Sequence, residues 1–390
     1  MKALVYGLAR SGRSAAERLE ERGDEVLFVD RSLGNEGDLE ALDGVELLVK
    51  SPGVRGDAEL VVAARARNVP VWSEVELGFQ LLPDARFVGV TGTNGKTTTV
   101  ELLGAIFRAA GKDVAVAGNV GTPLSSIRSA EWVVCELSSF QLEDVHELAC
   151  DVAVLLNLEP DHLDRHGTFA AYRDAKLRIF ERAGTCVVPR GLGLPGVEFS
   201  ADDELPAEPL LRGAHNRENA AAATAAARAA GIADDAIAMA LRSFAGVAHR
   251  LELVGERDGV RYVNDSKATN VAAALRALAA YADEPVRLIL GGSPKGEDFG
   301  PLAAAIGANV RSIHLIGAEA GRLATALGPH PHTLDGDLAT AVAHARRLAE
   351  QGDVILFSPA SASFDQFSDF EARGEAFRQL VDAEPPLSKH

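Results

Sequence analysis

The sequence predicts an α/β protein in three domains, and three observations carry that prediction. Short runs of β-branched and aliphatic residues alternate with amphipathic helical stretches along the chain, the alternation that builds parallel sheets covered by helices. At 390 residues the chain is too long for one ordinary core, so two or three domains are expected. Two stretches read as joints: Leu82-Pro83-Asp84, and residues 246–250 after an alanine-rich helical region. The predicted domains are therefore 1–84, 85–247 and 248–390.

Composition narrows the function classes. Hydrophobic residues make up 47% and charged residues 24%, with a formal charge of −17. Such a balance disfavours nucleic-acid and anionic-membrane partners. An anionic substrate would have to be held by local Lys, Arg and helix N-termini. The three cysteines (Cys135, Cys150, Cys186) show neither metal spacing nor a disulfide framework, as in a reducing compartment. No apolar run reaches the ~20 residues of a membrane span, and the N-terminus runs directly into a strand-turn-helix pattern. A cytoplasmic protein without membrane insertion is expected.

In the first domain, strands are predicted at 3–7, 26–30 and 47–50. The turn after the first strand has Gly7 and Gly12 in G-x-G-x-x-G register, but Ala9 replaces the middle glycine. That glycine lets the backbone approach a dinucleotide's pyrophosphate, so a nucleotide-sugar diphosphate fits better than a nicotinamide cofactor. Asp30 stands where a ribose-binding acid is expected, and Ser51-Pro52-Gly53 supplies a second turn. Arg10, Ser11, Arg31 and Ser32 lie in the segments that follow the first two strands. The plain alternative for Asp30 is a solvated strand-end acid.

In the second domain a strand at 87–90 runs into Thr91-Gly92-Thr93-Asn94-Gly95-Lys96-Thr97, with a helix from Thr98 onward. Such a turn aims backbone N–H groups at one point, at the positive end of a helix, and so cradles phosphates. Lys96 would add charge for the β- and γ-phosphates, and the Thr97 hydroxyl can ligate Mg²⁺. The generic phosphate-loop pattern fails, because its first glycine would be Val90; a rarer pattern, TGTNGKT, fits. A simple Gly/Asn turn is the alternative.

Further along, Gly118-Asn119-Val120-Gly121 is a turn that would place Asn119 near the substrate. The strand at 132–135 ends in Glu136, an acid beside the phosphate loop suited to a magnesium shell. Ser138 and Gln141 offer polar contacts after it. A strand at 152–156 leads into Asn157-Leu-Glu-Pro-Asp-His-Leu-Asp-Arg-His166. There His162 is the expected metal-contacting residue, and His166 is expected to be structural or on the surface. Residues 191–209 are rich in Gly, Pro and acids and read as a surface excursion, whereas 219–230 is a tightly packed alanine helix.

The third domain contributes strands at 288–291, 313–316 and 354–358. Three polar loops accompany them: Asn264-Asp-Ser-Lys-Ala-Thr-Asn270, Gly291-Gly-Ser-Pro-Lys295 and 358–367. A ligand with carboxylates would need a cation and several donors around it. Thr269, Lys295, Ser363 and the backbone at Phe364 meet that need, with Phe370 closing the pocket. For Lys295 the alternative is a solvated loop tip.

TGTNGKT, ELSSFQLE, N-x-x-x-DHLDRH, YRDAKLRIFE and HNRENAAAA occur in this order. Together they resemble the ATP-dependent Mur ligases of peptidoglycan assembly, and NDSKATN resembles the D-glutamate-adding branch. The resemblance implies a Rossmann-like N-terminal domain for a UDP-sugar, and a central mononucleotide-binding ATPase with a parallel-rich sheet. It further implies a Rossmann-like C-terminal domain that binds D-glutamate and closes over ATP. The implied substrates are UDP-N-acetylmuramoyl-L-alanine and D-glutamate, joined through an acyl phosphate by a monomer.

The implied ATP contacts are Gly92, Thr93, Asn94, Gly95, Lys96, Thr97, Thr98, Asn216, Asn219, Arg250, Asp265 and Lys267. Two Mg²⁺ ions are implied, one on Thr97 and Glu136, the other on His162 and a carbamylated Lys176. By its own residues Lys176 is an ordinary helix lysine. Lys96, Glu136, His162 and Lys176 form the implied catalytic set. Arg10, Ser11, Asp30, Arg31, Ser51, Gly53, Asn119, Gln141 and His162 would face the UDP substrate. Pro294 and Ser361 depart from common family residues without removing a contact. Three rivals stay open here: a sister ligase with another amino acid or folate acceptor, a nicotinamide oxidoreductase, and a nucleotide switch without ligase activity.

Overall fold

The computed structural model describes residues 1–383 apart from 120, 212 and 295, and at 164 the backbone alone. These residues form three sheets. The first holds β1 (Lys2–Tyr6), β2 (Glu25–Val29), β3 (Leu47–Lys50) and β4 (Val71–Ser73) in the order β2-β1-β3-β4, every pair parallel. The second holds β5 (Arg86–Thr91), β6 (Val114–Gly118), β7 (Trp132–Glu136), β8 (Val152–Leu155), β9 (Thr185–Pro189) and β10 (Val197–Phe199). Its order is β10-β9-β8-β5-β7-β6, again wholly parallel.

The third sheet holds β11 (Glu252–Arg257), β12 (Val260–Asn264), β13 (Val286–Gly291), β14 (Val310–Ile316), β15 (His332–Gly336) and β16 (Val354–Phe357). They run in the order β11-β12-β16-β13-β14-β15. Only the β11–β12 pair is antiparallel in this sheet. The α/β class is as expected. All nine predicted strands are strands, within three residues at their ends. The tract at 191–209 is a correction in part: it contains β10, which pairs with β9.

The chain divides into two compact units, Met1–Phe244 and the part from Ala245 onward. In the first unit, parallel strands buried on both faces explain the near-continuous apolar runs of β5, β7 and β8. The helix Lys96–Ala109 lies over this sheet, and the alanine helix Ala214–Ala229 packs on it. Ala220, Ala222, Ala223, Ala226 and Ala227 are buried there. Side chains this small let two helix backbones approach closely, and alanine is also the best helix former.

The first and second sheets are joined by buried acids that cap backbone. Glu76, fully buried, accepts N–H groups of His146, Glu147 and Leu148 at 3.0–3.1 Å. Glu74 accepts the Ser125 N–H at 2.7 Å. Lys50, the last residue of β3, pairs with Asp144 at 2.6 Å, and Asp144 pairs in turn with Arg65. A buried ion pair of this kind fixes geometry more than it adds stability. Here it fixes the Ser51–Gly53 turn against the second sheet.

In the second unit, β13, β14 and β16 carry the core, with Leu288, Leu290, Leu315 and Leu356 fully buried. The last helix, Phe370–Asp382, opens with Asp369 accepting the Ala372 N–H. Such a cap satisfies one of the orphan donors of a helix start.

Candidate functional site

The loop between β5 and the helix Lys96–Ala109 is shaped by two glycines. Gly95 sits at φ +83° as the residue before the helix, and a Cβ there would lie 2.2 Å from Asn219 Oδ1. Only glycine supports both the left-handed backbone and that approach. Asn157, just after β8, holds the loop from the other side. Its Oδ1 accepts the Asn94 N–H at 2.8 Å, and its Nδ2 donates to Asn94 O at 3.2 Å. Asn94 Nδ2 donates to Glu159.

Two ammonium groups converge on one carbonyl of this loop. Lys96 Nζ donates to Gly92 O at 2.8 Å and to Thr93 O at 3.0 Å. Lys176 Nζ, on the helix Phe169–Leu177, donates to the same Gly92 O at 2.8 Å. The two cations thus lie within twice a hydrogen-bond length of each other. Burial, and next the charge of Lys96, push the Lys176 amine down to about 7. A buried lysine titrating near neutrality has a reactive free amine.

Opposite them Thr97 Oγ1 donates to Glu136 Oε2 at 2.7 Å. Asn119 Nδ2 donates to Glu136 Oε1 at 3.2 Å. Glu136 is 3% exposed and Thr97 8%, so their oxygens form a sheltered hard-donor pair of the type that suits Mg²⁺. His162 takes a left-handed φ of 50° at the start of the turn Leu163–His166. Its ring meets Phe140 edge-on at 4.9 Å and lies 6.4 Å from Tyr172. Tyr172 Oη contacts Thr93 Oγ1 at 3.0 Å and its ring faces the Lys176 ammonium at 4.7 Å. Lys96, Glu136 and Lys176 are therefore tied to one loop, and His162 adjoins it only through Tyr172.

His166 has a buried ring, bonded to Ser139 Oγ at 2.9 Å and paired with Glu143. Of the two roles expected for it, the structural one describes this placement. Gln141 is fully buried as well. Its Oε1 accepts from Ser138 N and Ser138 Oγ in a capping box, and its Nε2 has no hydrogen-bond partner among the described residues.

The first-domain candidates cluster at the ends of β1, β2 and β3. Asp30 accepts the Leu8 N–H at 2.7 Å and both the N–H and the hydroxyl of Ser32. Those donors, Leu8 first, hold its carboxyl down at about 2. Ser51 Oγ donates to Gly7 O at 2.6 Å, and Arg10 donates to Gly121 O at 2.9 Å. A Cβ at Gly12 would sit 1.7 Å from Gly7 O, so that glycine serves close turn packing. Ser11 is half-buried in the first turn of the helix Arg10–Glu21, while Arg31 and Gly53 are exposed. Arg165 ties the two regions together through Pro52 O and Val54 O, at 3.2 and 3.1 Å.

Within the second unit, Asp265 follows β12 and accepts from Ser358 Oγ at 2.7 Å and Leu251 N at 3.2 Å. Burial raises its carboxyl to about 7 against those bonds. Lys267 lies over the Phe370 ring at 5.1 Å. Thr269 is half-buried in the same loop, Ser363 is buried, and Phe364 is 70% exposed. Lys295 lies outside the described residues.

Arg373 connects these loops. Buried, it donates to Ser266 O (2.8 Å), Ser266 Oγ (3.0 Å), Ser361 O (3.0 Å) and Ala362 O (2.8 Å). Sequence reasoning passed over Tyr172, Arg165 and Arg373. Each stood inside a motif already quoted or beside Phe370, but nothing in residue type distinguishes it from a core or surface residue.

A parallel sheet and a glycine loop entering a helix that opens with a lysine and a threonine define a phosphate-binding α/β protein of the nucleotide class. The chain matches the family models for the Mur ligase middle domain over residues 90–190 and the Mur ligase glutamate ligase domain over 249–361. It is 40% identical to the UDP-N-acetylmuramoylalanine–D-glutamate ligase of Myxococcus xanthus, covering 98% of both chains. It is 41% identical to the protein of the same name from Rubrobacter xylanophilus, covering 97% of this chain and 98% of that one. The chain belongs to the Mur ligase family.

Solved structures agree at the level of fold. UDP-N-acetylmuramate-alanine ligase MurC from Thermotoga maritima superposes with a TM-score of 0.62 at 19% identity, over 98% of this chain and 99% of that one. MurF ligase from the same organism, in complex with ADP, gives 0.58 at 19% identity over 88% and 91%.

Proposed function

We propose that this chain is an ATP-dependent ligase that adds D-glutamate to UDP-N-acetylmuramoyl-L-alanine through an acyl phosphate, in peptidoglycan precursor synthesis. The observation that carries the reading is the 40% identity, over nearly the whole of both chains, to a relative named for that reaction. The loop geometry supports the following chemistry. In the first step a carboxylate oxygen of the alanyl group attacks the γ-phosphorus of ATP, and the bond to ADP breaks. In the second, the amine of D-glutamate attacks the acyl carbon, gives up a proton and expels inorganic phosphate.

Bringing two anions together requires local positive charge in a chain whose net charge is −17. Lys96 and the N–H groups of the first helical turn would provide it. Thr97 and Glu136 fit one Mg²⁺ by their sheltered oxygens, and His162 with a carbamylated Lys176 would hold a second. When bound, these ions neutralise phosphate oxygens. Carbamylation joins the free Lys176 amine to CO2 with loss of a proton, replacing a cation beside Lys96 by an anionic oxygen.

Asn216, Asn219, Arg250, Asp265 and Lys267 are assigned to ATP. Arg10, Ser11, Asp30, Arg31, Ser51, Gly53, Asn119 and Gln141 are assigned to the UDP substrate, the buried Gln141 through its unpartnered amide. Thr269, Lys295, Ser363, Phe364 and Phe370 are assigned to D-glutamate. The three-domain division at 84 and 247, a monomeric state and a cytoplasmic location belong to the same proposal. Among the described residues no helix is long and apolar enough to cross a membrane.

ADP release measured with UDP-N-acetylmuramoyl-L-alanine and a panel of amino acids tests the reading. Strong stimulation by D-glutamate alone is expected. Equal stimulation by L-glutamate, or by a basic amino acid, would replace it with a sister ligase.

A further inference from the structure

The third sheet carries a side-chain cluster that the ligase reaction leaves unused. His314 lies on β14, Asp335 on the edge strand β15, and His344 on the helix Leu338–Leu348 that follows β15. His314 Nδ1 is 2.8 Å from Asp335 Oδ2, and His344 Nδ1 is 3.0 Å from Asp335 Oδ1. The two imidazoles meet edge-on with centroids 5.0 Å apart. Asp337 caps the helix by accepting the Thr340 N–H, which fixes where His344 falls along it.

We propose that His314, Asp335 and His344 form a binding site for a divalent transition-metal cation, with Zn²⁺ the best fit. Two imidazole nitrogens and one carboxylate oxygen are a standard three-ligand set for zinc, leaving a fourth position for water. The three ligand atoms already lie within 4.8 Å of one another. Bonds of about 2.0–2.1 Å in a tetrahedron put neighbouring ligand atoms roughly 3.3 Å apart. The two histidine–aspartate separations would open by about half an ångström and the widest separation in the set, up to 4.8 Å, would close, both by side-chain rotation.

The surroundings suit that use. His314 Nε2 is 3.0 Å from Ser312 Oγ. A ligating histidine uses its second nitrogen in this manner to fix ring and tautomer. Thr333 Oγ1 lies 3.1 Å from Asp335 Oδ2 and holds that carboxylate in place. His314 is fully buried and Asp335 nearly so, while the His344 side chain is 23% exposed, so a cation would enter past His344. Burial holds the His314 imidazole below its ordinary range. Nitrogen donors also exclude the Mg²⁺ that accompanies ATP, which prefers oxygen and its own water. The cation would tie β14, β15 and the following helix together at the sheet edge.

The competing arrangement is a metal-free triad in which Asp335 accepts an N–H from each ring. Titrating the metal-stripped full chain with Co²⁺ in excess Mg²⁺ separates the two. One equivalent of Co²⁺ with a tetrahedral visible spectrum is expected, displaced by one equivalent of Zn²⁺. His344→Gln should weaken binding at least a hundredfold while folding normally, and Ser312→Ala should weaken it about ten- to a hundredfold. Zn²⁺ should raise Tm of the natural chain and leave that of Asp335→Asn unchanged. Absence of the Co²⁺ band, or the same band and affinity in His344→Gln, would overturn the site.

Discussion

Between pH 7 and its ordinary 10.5 the buried Lys176 amine is mostly unprotonated in the folded chain and protonated in the unfolded one. The unfolded state then binds more protons, so stability rises with pH across that window. Below pH 7 both states are protonated and the full penalty of a buried cation beside Lys96 remains. In CO2-free buffer the natural chain should gain on Lys176→Met by at most about 1.4 kcal/mol per pH unit above pH 7. Urea titrations at several pH values check this; equal slopes for both proteins would refute it. The same amine predicts that turnover falls in CO2-depleted buffer and recovers with bicarbonate. Lys96→Ala should abolish ADP release with an unchanged circular dichroism spectrum. Gly95→Ala should lower it at least tenfold, because the new Cβ meets Asn219. The placement of Lys96 at the head of a helix after a glycine turn was legible from TGTNGKT alone. Lys176 was legible only by resemblance: its chemistry comes from burial against Gly92 O, which no local pattern records.

At the scale of elements, strands buried on both faces announce themselves as apolar runs, and β5, β7, β8, β13 and β16 were read correctly for that reason. Strands that fail this pattern were missed. β15 is HTLDG on an edge, and β10 is three residues inside a glycine-rich tract; pairing with a neighbour, not local composition, makes them strands. The alanine run was read as a close-packed helix, and its burial against the helix Lys96–Ala109 makes that packing testable. Ala226→Leu should destabilise the fold by about 1–3 kcal/mol through overpacking, seen as a lower urea midpoint at constant m-value. Arg373 acts on loops: it holds the backbones of Ser266, Ser361 and Ala362 from one buried guanidinium. Arg373→Lys should raise KM for D-glutamate and for ATP severalfold while the fold is kept, because Ser266 lies between Asp265 and Lys267. A uniform loss of stability with unchanged KM would make its role purely structural.

For the whole molecule, composition excluded classes and length suggested several domains, but neither could show how strongly neighbouring sheets adhere. The first two sheets share one compact unit because Glu76, Glu74, Asp144 and Arg165 bond across them. Limited trypsin digestion should therefore give two durable fragments separated near 244, with no early cut near 84. In the proposed reaction this chain activates a carboxylate as an acyl phosphate on the loop carrying Lys96. Its most direct test places ¹⁸O in the alanyl carboxylate of the UDP substrate and follows the label by mass spectrometry during turnover with ATP and D-glutamate. One labelled oxygen should appear in each inorganic phosphate released. Product formed with unlabelled phosphate would contradict the account.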